Sequence, residues 1–287
     1  MLTLTFASGD PPPDPTSGRE VSVWRDDTGA VCARTYAAQG LRWIDWPAFG
    51  VYAFEPGSRD VRVWAAPSVS PNDVTAIFER VLQPVILQAL GWQALHASAV
   101  LGRRGVLALC GHSGSGKSTL AYALREAGFA QFADDGVVIA LESDRVLACA
   151  LPFAPRLRPA SFERFSSGLR LPPGSPAKGS RPSHAPLAGV VVLHQDAAHS
   201  GSPRCRAVDP AQAFTALLTH AHCFDVDSSA TTTSLVHDYL AIAERVPAFE
   251  LTYAPGLDAL PEIIGILSDV AETCGAGAPA LGHSQSG

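Results

Sequence analysis

The run Gly111-His112-Ser113-Gly114-Ser115-Gly116-Lys117-Ser118 fits the pattern GxxxxGK followed by Ser or Thr, and no other stretch constrains the fold of this chain so tightly. Such a loop needs a strand running in and a helix running out. Its backbone N–H groups cradle phosphate oxygens, and the helix N-terminus adds its positive dipole end to the same anion. Both flanks are present. Residues 106–109 are a short apolar run, and residues 117–127 read as a helix that Gly128 closes as a left-handed C-cap. Gly111, Ser113, Gly114, Ser115 and Gly116 are expected to surround the phosphates, with Thr119 ending the loop. Lys117 is expected to reach the β- and γ-phosphates, and the Ser118 hydroxyl to ligate magnesium. ATP or another nucleoside triphosphate, with Mg2+, is the implied cofactor pair. Of 21 basic residues only Lys117 and Lys178 are lysine. The chain thus keeps a lysine where a compact ammonium must fit among phosphates, a place a planar guanidinium does not fill equally well.

The rest of the pattern supports an α/β fold with a mixed sheet, preceded by a small β-rich segment. Residues 2–6, 21–24, 51–54 and 61–64 read as strands of a small antiparallel sheet, separated by Pro- and Gly-rich turns. Apolar positions from Val74 to Leu90 recur at helical spacing, with Ser70 as N-cap, Pro71 in the first position and Pro84 as a kink. Strands are expected at 97–101, 106–109, 129–133, 137–141, 189–193 and 249–253, and helices at about 210–221, 234–245 and 257–271. Residues 166–187, rich in Pro, Gly and Ser, read as a mobile loop, a lid or a disordered insertion. The expected division is a β-rich segment over 1–70, a P-loop core over 71–271 and a disordered tail over 272–287.

Composition excludes several classes of function. With 47% hydrophobic and 17% charged residues, the chain can bury a substantial core. Net charge is −6 and no Lys/Arg run appears, so no nucleic-acid partner is expected. The six cysteines form no CxxC pair, no segment reaches the apolar length of a membrane span, and residues 1–13 lack the features of a signal peptide. A cytoplasmic protein without a membrane partner is the expectation.

Other residues carry candidate chemistry. Asp134 and Asp135 follow Phe132 at the end of a strand near the loop; one carboxylate would hold magnesium and the other take the proton of an attacking hydroxyl. Arg156 and Arg158 are candidate phosphate clamps. Glu142 and Asp196, each ending an apolar strand, are rival metal-binding acids. His96 precedes the strand at 97–101. A transport ATPase would need an LSGGQ-like signature and a strand ending in Asp-Glu, and neither is present. A nucleotide-binding sensor or scaffold is the other alternative to a kinase.

Residues 95–139, LHASAVLGRRGVLALCGHSGSGKSTLAYALREAGFAQFADDGVVI, resemble the HPr kinase/phosphorylase superfamily. The shared features are a His opening a strand, a Gly turn, a second strand, the P-loop with its helix, and an Ala-Asp-Asp element. In style the remainder looks like the HPr-kinase-like proteins of lasso-peptide clusters, which phosphorylate a C-terminal serine of a precursor peptide. The resemblance implies an HPr-kinase-like P-loop core related to phosphoenolpyruvate carboxykinase, and a serine kinase acting on a peptide or protein. It implies Asp134 as general base, Asp135 as the magnesium-side acid and His96 as an active-site residue. It also admits a homo-oligomer. This chain departs from the family pattern at His112, where an Asp is usual, at Thr119, where an acid is usual, and in lacking the later segment that serves HPr binding and the reverse reaction. Residues 1–70 do not resemble the family's regulatory domain and are expected to serve peptide recognition.

Overall fold

The computed structural model describes residues 2–9, 12–26, 28–38, 40–151, 182–223 and 229–274. The first strands among them are β1 (Thr3–Phe6), β2 (Arg19–Arg25), β3 (Val31–Ala38), β4 (Leu41–Trp46), β5 (Gly50–Phe54) and β6 (Asp60–Ala65). They form one sheet in the order β1-β6-β5-β4-β3-β2. Strands β2 to β6 make an antiparallel meander, and β1 adds to β6 in parallel, unlike the all-antiparallel sheet expected. β3 and β4 escape a reading by alternation because both faces of the sheet are covered at its centre. Ile44 enters the main apolar cluster on one face, while its neighbour Trp43 stacks on Tyr36 on the other, with ring centroids 5.5 Å apart.

The expected helix over 71–90 is helical throughout but not regular. α1 (Pro71–Ile77) passes into a π-turn (Phe78–Leu82) and then α2 (Gln83–Ala89). Ser70 caps it, its hydroxyl accepting from Asp73 N–H at 3.2 Å. The disturbance expected at Pro84 takes the form of this wider turn. Proline has no N–H to donate, and its ring crowds the carbonyl four residues back, that of Arg80. One extra residue in the turn relieves both problems. The buried face, Val74, Phe78, Leu82 and Ile86, joins Tyr52, Phe54, Val61 and Val63 of the first sheet. The same cluster contains Ala94, Val138 and Cys149 from the strands that follow.

Those strands are β7 (Gln93–Leu95), β8 (Ala97–Gly102), β9 (Gly105–Cys110), β10 (Ala130–Ala133), β11 (Val137–Leu141), β12 (Val146–Cys149), β13 (His184–Gln195), β14 (Arg204–Val208) and β15 (Ala248–Tyr253). They build a nine-stranded mixed sheet, ordered β10-β8-β9-β13-β12-β11-β7, with β15 on β13 and β14 on β15. β9, β13 and β15 run parallel. β13 is longer than expected and begins inside the segment read as a loop. Its first residues pair with β12, which buries Ala185 and Leu187. β9 and the middle of β13 are apolar without alternation because helices cover both faces. α3 (Lys117–Glu126) and α6 (Leu260–Thr273) bury Leu120, Leu124, Ile263, Ile264 and Leu267 on one face. α4 (Pro210–Thr219) and α5 (Ser229–Arg245) bury Ala213, Leu217, Tyr239 and Ile242 on the other.

Helix ends follow the local chemistry. Asp209 forms a capping box with Gln212 at the start of α4. Gly128, at φ 106°, ends α3: its N–H donates to Arg125 C=O, and Phe129 N–H to Leu124 C=O. That pair of bonds is the Schellman closure expected from sequence. α6 runs to Thr273, two residues into the expected tail; residues 275–287 lie outside the described residues. No helix among the described residues is long and apolar enough to cross a membrane.

Candidate active site

The glycine-rich loop leaves the C-terminal end of β9 and feeds α3, at the edge where β13 and β15 also end. Crevices beyond the carboxyl ends of parallel strands are where open α/β sheets place ligands. Gly114 and Gly116 take φ 88° and Gly111 takes 155°. A Cβ on Gly111 would lie 2.4 Å from Ser115 Oγ, and one on Gly116 would lie 3.1 Å from Tyr253 Oη, so the loop closes only with glycine at these places. α3 starts at Gly116 without a side-chain cap. Its first N–H groups are thus left for a ligand. Lys117, 7% exposed, folds back over the loop and donates to Gly111 C=O at 2.7 Å and His112 C=O at 3.1 Å. The Tyr253 hydroxyl donates to Ser115 C=O from β15. Ser115 Oγ is buried and has no hydrogen-bond partner among the described residues.

The acids arise from a lapse in strand pairing. Leu95 pairs with Val137, and Ala99 with Ala133, in antiparallel register. Between these pairs, residues 96–98 and 134–136 do not pair with each other, although Ala97 and Ser98 still pair with β9 on their other side. Ser98, fully buried, donates to Asp134 Oδ1 at 2.6 Å, and Ser118 donates to the same oxygen at 2.8 Å. Asp134 is therefore joined directly to the hydroxyl expected to ligate magnesium. Asp135, at φ 63°, is the one non-glycine residue with positive φ among the described residues. Its carboxylate is half exposed, 3.6 Å from Arg80 Nη2.

His96 Nδ1 lies 3.2 Å from Asp135 C=O. A carbonyl only accepts, so Nδ1 carries the hydrogen. Burial, then the nearby Lys117 ammonium, lowers the His96 pKa. The ring is thus favoured in its neutral form, with Nε2 as a bare acceptor. Two further histidines complete a cluster that the sequence did not disclose. Residues 220–222 run antiparallel to β7: His96 N–H donates to His220 C=O and His222 N–H to Ala94 C=O, each at 2.7 Å. The His222 ring meets His96 edge-on at 5.8 Å, and the His220 ring meets His112 of the loop at 5.4 Å. Burial above all lowers His220 and His222 to about 4, and neighbouring His112 and His96 respectively add to it. The spacing of two histidines two residues apart was visible in sequence, but not the bridge that carries them to the site.

A pH prediction follows from this pair. Unfolded, both rings titrate near their ordinary 6.5; folded, they resist protonation until about 4. The unfolded chain therefore binds more protons between those values, so their contribution to stability is whole above about pH 6.5 and is lost as pH falls to about 4. The expected result is a thermal midpoint that falls by several degrees over that window. The double variant His220→Gln, His222→Gln should flatten the fall, and an equally steep curve would refute the assignment.

A cavity of about 360 Å³ opens beside the loop. Its polar wall is Ser113, Gly114, Gly116, Lys117, Ser118, Thr119, His96, Asp135 and Gln195. Its other wall is Tyr253, Leu257, Leu260 and Ile263, from the end of β15 and the start of α6. Gln195, Tyr253 and the α6 leucine wall were not singled out in sequence, since only the sheet topology brings them to the loop. Of the rival acids, Glu142 accepts from Arg145 at 2.6 Å in the β11–β12 turn, and Asp196 accepts from Ala198 N–H at 2.8 Å in a turn after β13. Neither lines the cavity. Arg156 and Arg158 lie outside the described residues.

Strand, glycine loop, folded-in lysine and hydroxyl-bound aspartate thus lie together at one side of this cavity. No family model and no curated protein matches the chain. Among solved structures the chain is similar to the HPr(Ser) kinase/phosphatase from Coxiella burnetii, with 12% identity over 63% of this chain and 97% of that one, at a TM-score of 0.35. A likeness of that strength assigns no function.

Proposed function

We propose that the protein is an ATP- and magnesium-dependent kinase that phosphorylates a serine-type hydroxyl on a peptide or protein, a precursor peptide of the lasso type being the preferred acceptor. One observation carries the reading. A P-loop lysine and a serine–aspartate pair sit beside a second acid, Asp135, that lines the same cavity. The residues suit the nucleotide: the glycines stand where a Cβ would close the loop, the helix start is uncapped, and the oxygen donors Ser118 and Asp134 match the preference of magnesium. Bound Mg-ATP supplies an electrophilic γ-phosphorus whose charge the metal draws off.

The chain's own residues divide the remaining work. Lys117 exchanges loop carbonyls for phosphate oxygens. Ser118 and Asp134 hold the metal side. Asp135 takes the proton of the acceptor hydroxyl, and His96 fixes the Asp135 backbone from behind. This exchanges the roles that the family resemblance implies for the two acids. A carboxylate already accepting two hydroxyls and almost wholly buried is poorly placed to receive a proton from outside, whereas its half-exposed neighbour on the cavity wall is open to one. The apolar wall of Leu257, Leu260 and Ile263 suits a flat nucleobase and keeps water from the phosphates. Residues 1–70 are the proposed recognition element for the acceptor.

The test is incubation with magnesium and ATP beside three acceptors: a peptide ending in serine, the HPr protein, and free serine. Mass spectrometry reads phosphoryl gain. The peptide should gain one phosphoryl group. Asp135→Asn should lower that transfer by about 10²-fold or more while leaving Mg-nucleotide affinity nearly unchanged. Binding without transfer to any of the three would instead favour a nucleotide sensor.

A further inference from the structure

Asp135 is held from three sides in a backbone conformation that most L-residues avoid. Aspartate is among the few L-residues that adopt φ 63°, and it does so as a single residue in the bend between β10 and β11. Its carbonyl accepts from His96. The next residue, Gly136, lies so close to Pro84 that an added Cβ would meet Pro84 Cγ at 2.9 Å. Its carboxylate faces Arg80 Nη2 at 3.6 Å. Two of these three contacts come from one place, the π-turn and the proline that follows it. The extra residue of that turn changes the helical phase at Arg80 relative to α2, and single π-turns inside helices recur at functional sites. The same turn buries Phe78 and Leu82 in the apolar cluster shared with the first sheet.

We propose that Arg80 is a positioning residue: its guanidinium holds the Asp135 carboxylate in place for proton transfer, and so ties the N-terminal sheet to the site through the π-turn. The inference rests on the kinase reading above. Arg80 is 23% exposed and its partner 49%, and a pair so open adds little to stability. Its loss should therefore be felt in geometry rather than in folding.

The experiment compares wild type with Arg80→Gln and Arg80→Lys. Four properties are measured: transfer to the serine-ending peptide, affinity for a fluorescent ATP analogue with magnesium, the thermal midpoint, and the crystal structure of Arg80→Gln. Arg80→Gln should lower kcat by roughly 10- to 100-fold, the scale of a misplaced catalytic group, with nucleotide affinity and midpoint nearly unchanged. Arg80→Lys should recover part of the rate. An unchanged kcat overturns the inference, as does a loss of kcat, affinity and midpoint together. Should wild type transfer to no acceptor, the kinase reading fails by itself and the crystal structure decides. An Asp135 carboxylate that leaves its place supports the positioning role; an Asp135 that stays put overturns it.

Discussion

Lys117→Ala is expected to lower phosphoryl transfer by a factor of about 10² or more, equivalent to roughly 2.7 kcal/mol of transition-state stabilisation. The ammonium is the buried cation of the loop, and its two carbonyl contacts keep it folded over the space where phosphates are proposed to sit. It has short-range partners whose bonds are readily exchanged for stronger, charge-assisted ones to phosphate oxygens. Alanine removes that exchange and leaves the transferring group's charge unmatched. Lys117→Arg should fail nearly as badly, because a planar fork does not fit under a loop closed by Gly111 and Gly116. Steady-state transfer to the serine peptide measures the loss, and the thermal midpoint shows that the variants fold. A variant with wild-type rate would remove the loop from the mechanism altogether.

Asp134→Asn should act differently, at the binding step. Asp134 Oδ1 accepts from Ser98 and Ser118 at once. Asparagine keeps the shape, and its Oδ1 can still accept from both hydroxyls, but the negative charge is lost. Metal held through Ser118 should weaken by about 10- to 100-fold, the usual consequence of altering a residue that orients a ligand. The measurement is titration of a fluorescent ATP analogue with and without magnesium. The loss should appear only in the magnesium series. If instead Asp134→Asn binds Mg-nucleotide as wild type does and yet transfers nothing, Asp134 is the proton acceptor and the order implied by the family resemblance holds.

The contrast between these two residues marks how far sequence carries. The strand–loop–helix around Lys117 is specified locally, by glycines whose backbone angles leave few alternatives and by a helix that closes on Gly128, so its geometry could be drawn before the fold. Asp134 and Asp135 were locatable for the same reason, lying just after a strand beside that loop. Their division of labour was not, because it depends on Ser98, 36 residues away, and on the backbone of Asp135. His220 and His222 reach the site through a single antiparallel bridge to Leu95, which no local pattern announces. β7, β12 and β14 are short, and β3 and β4 bury neighbouring residues on opposite faces; period-two alternation is weak in all of them. The segment at 184–187 carries proline and histidine and reads as loop, yet its pairing with β12 makes it strand.

The missing pairing between residues 96–98 and 134–136 has a consequence for how the protein breathes. A sheet opens first where rungs are missing. Here the missing rungs are the place where both acids, His96 and Ser98 meet. Two contacts span that seam as rivets: Ser98 on one lip donates to Asp134 on the other, and His96 to the Asp135 carbonyl. A ligand taken up by Ser118 and Asp134 would load the first of these rivets, so its binding would be coupled to closure of the seam.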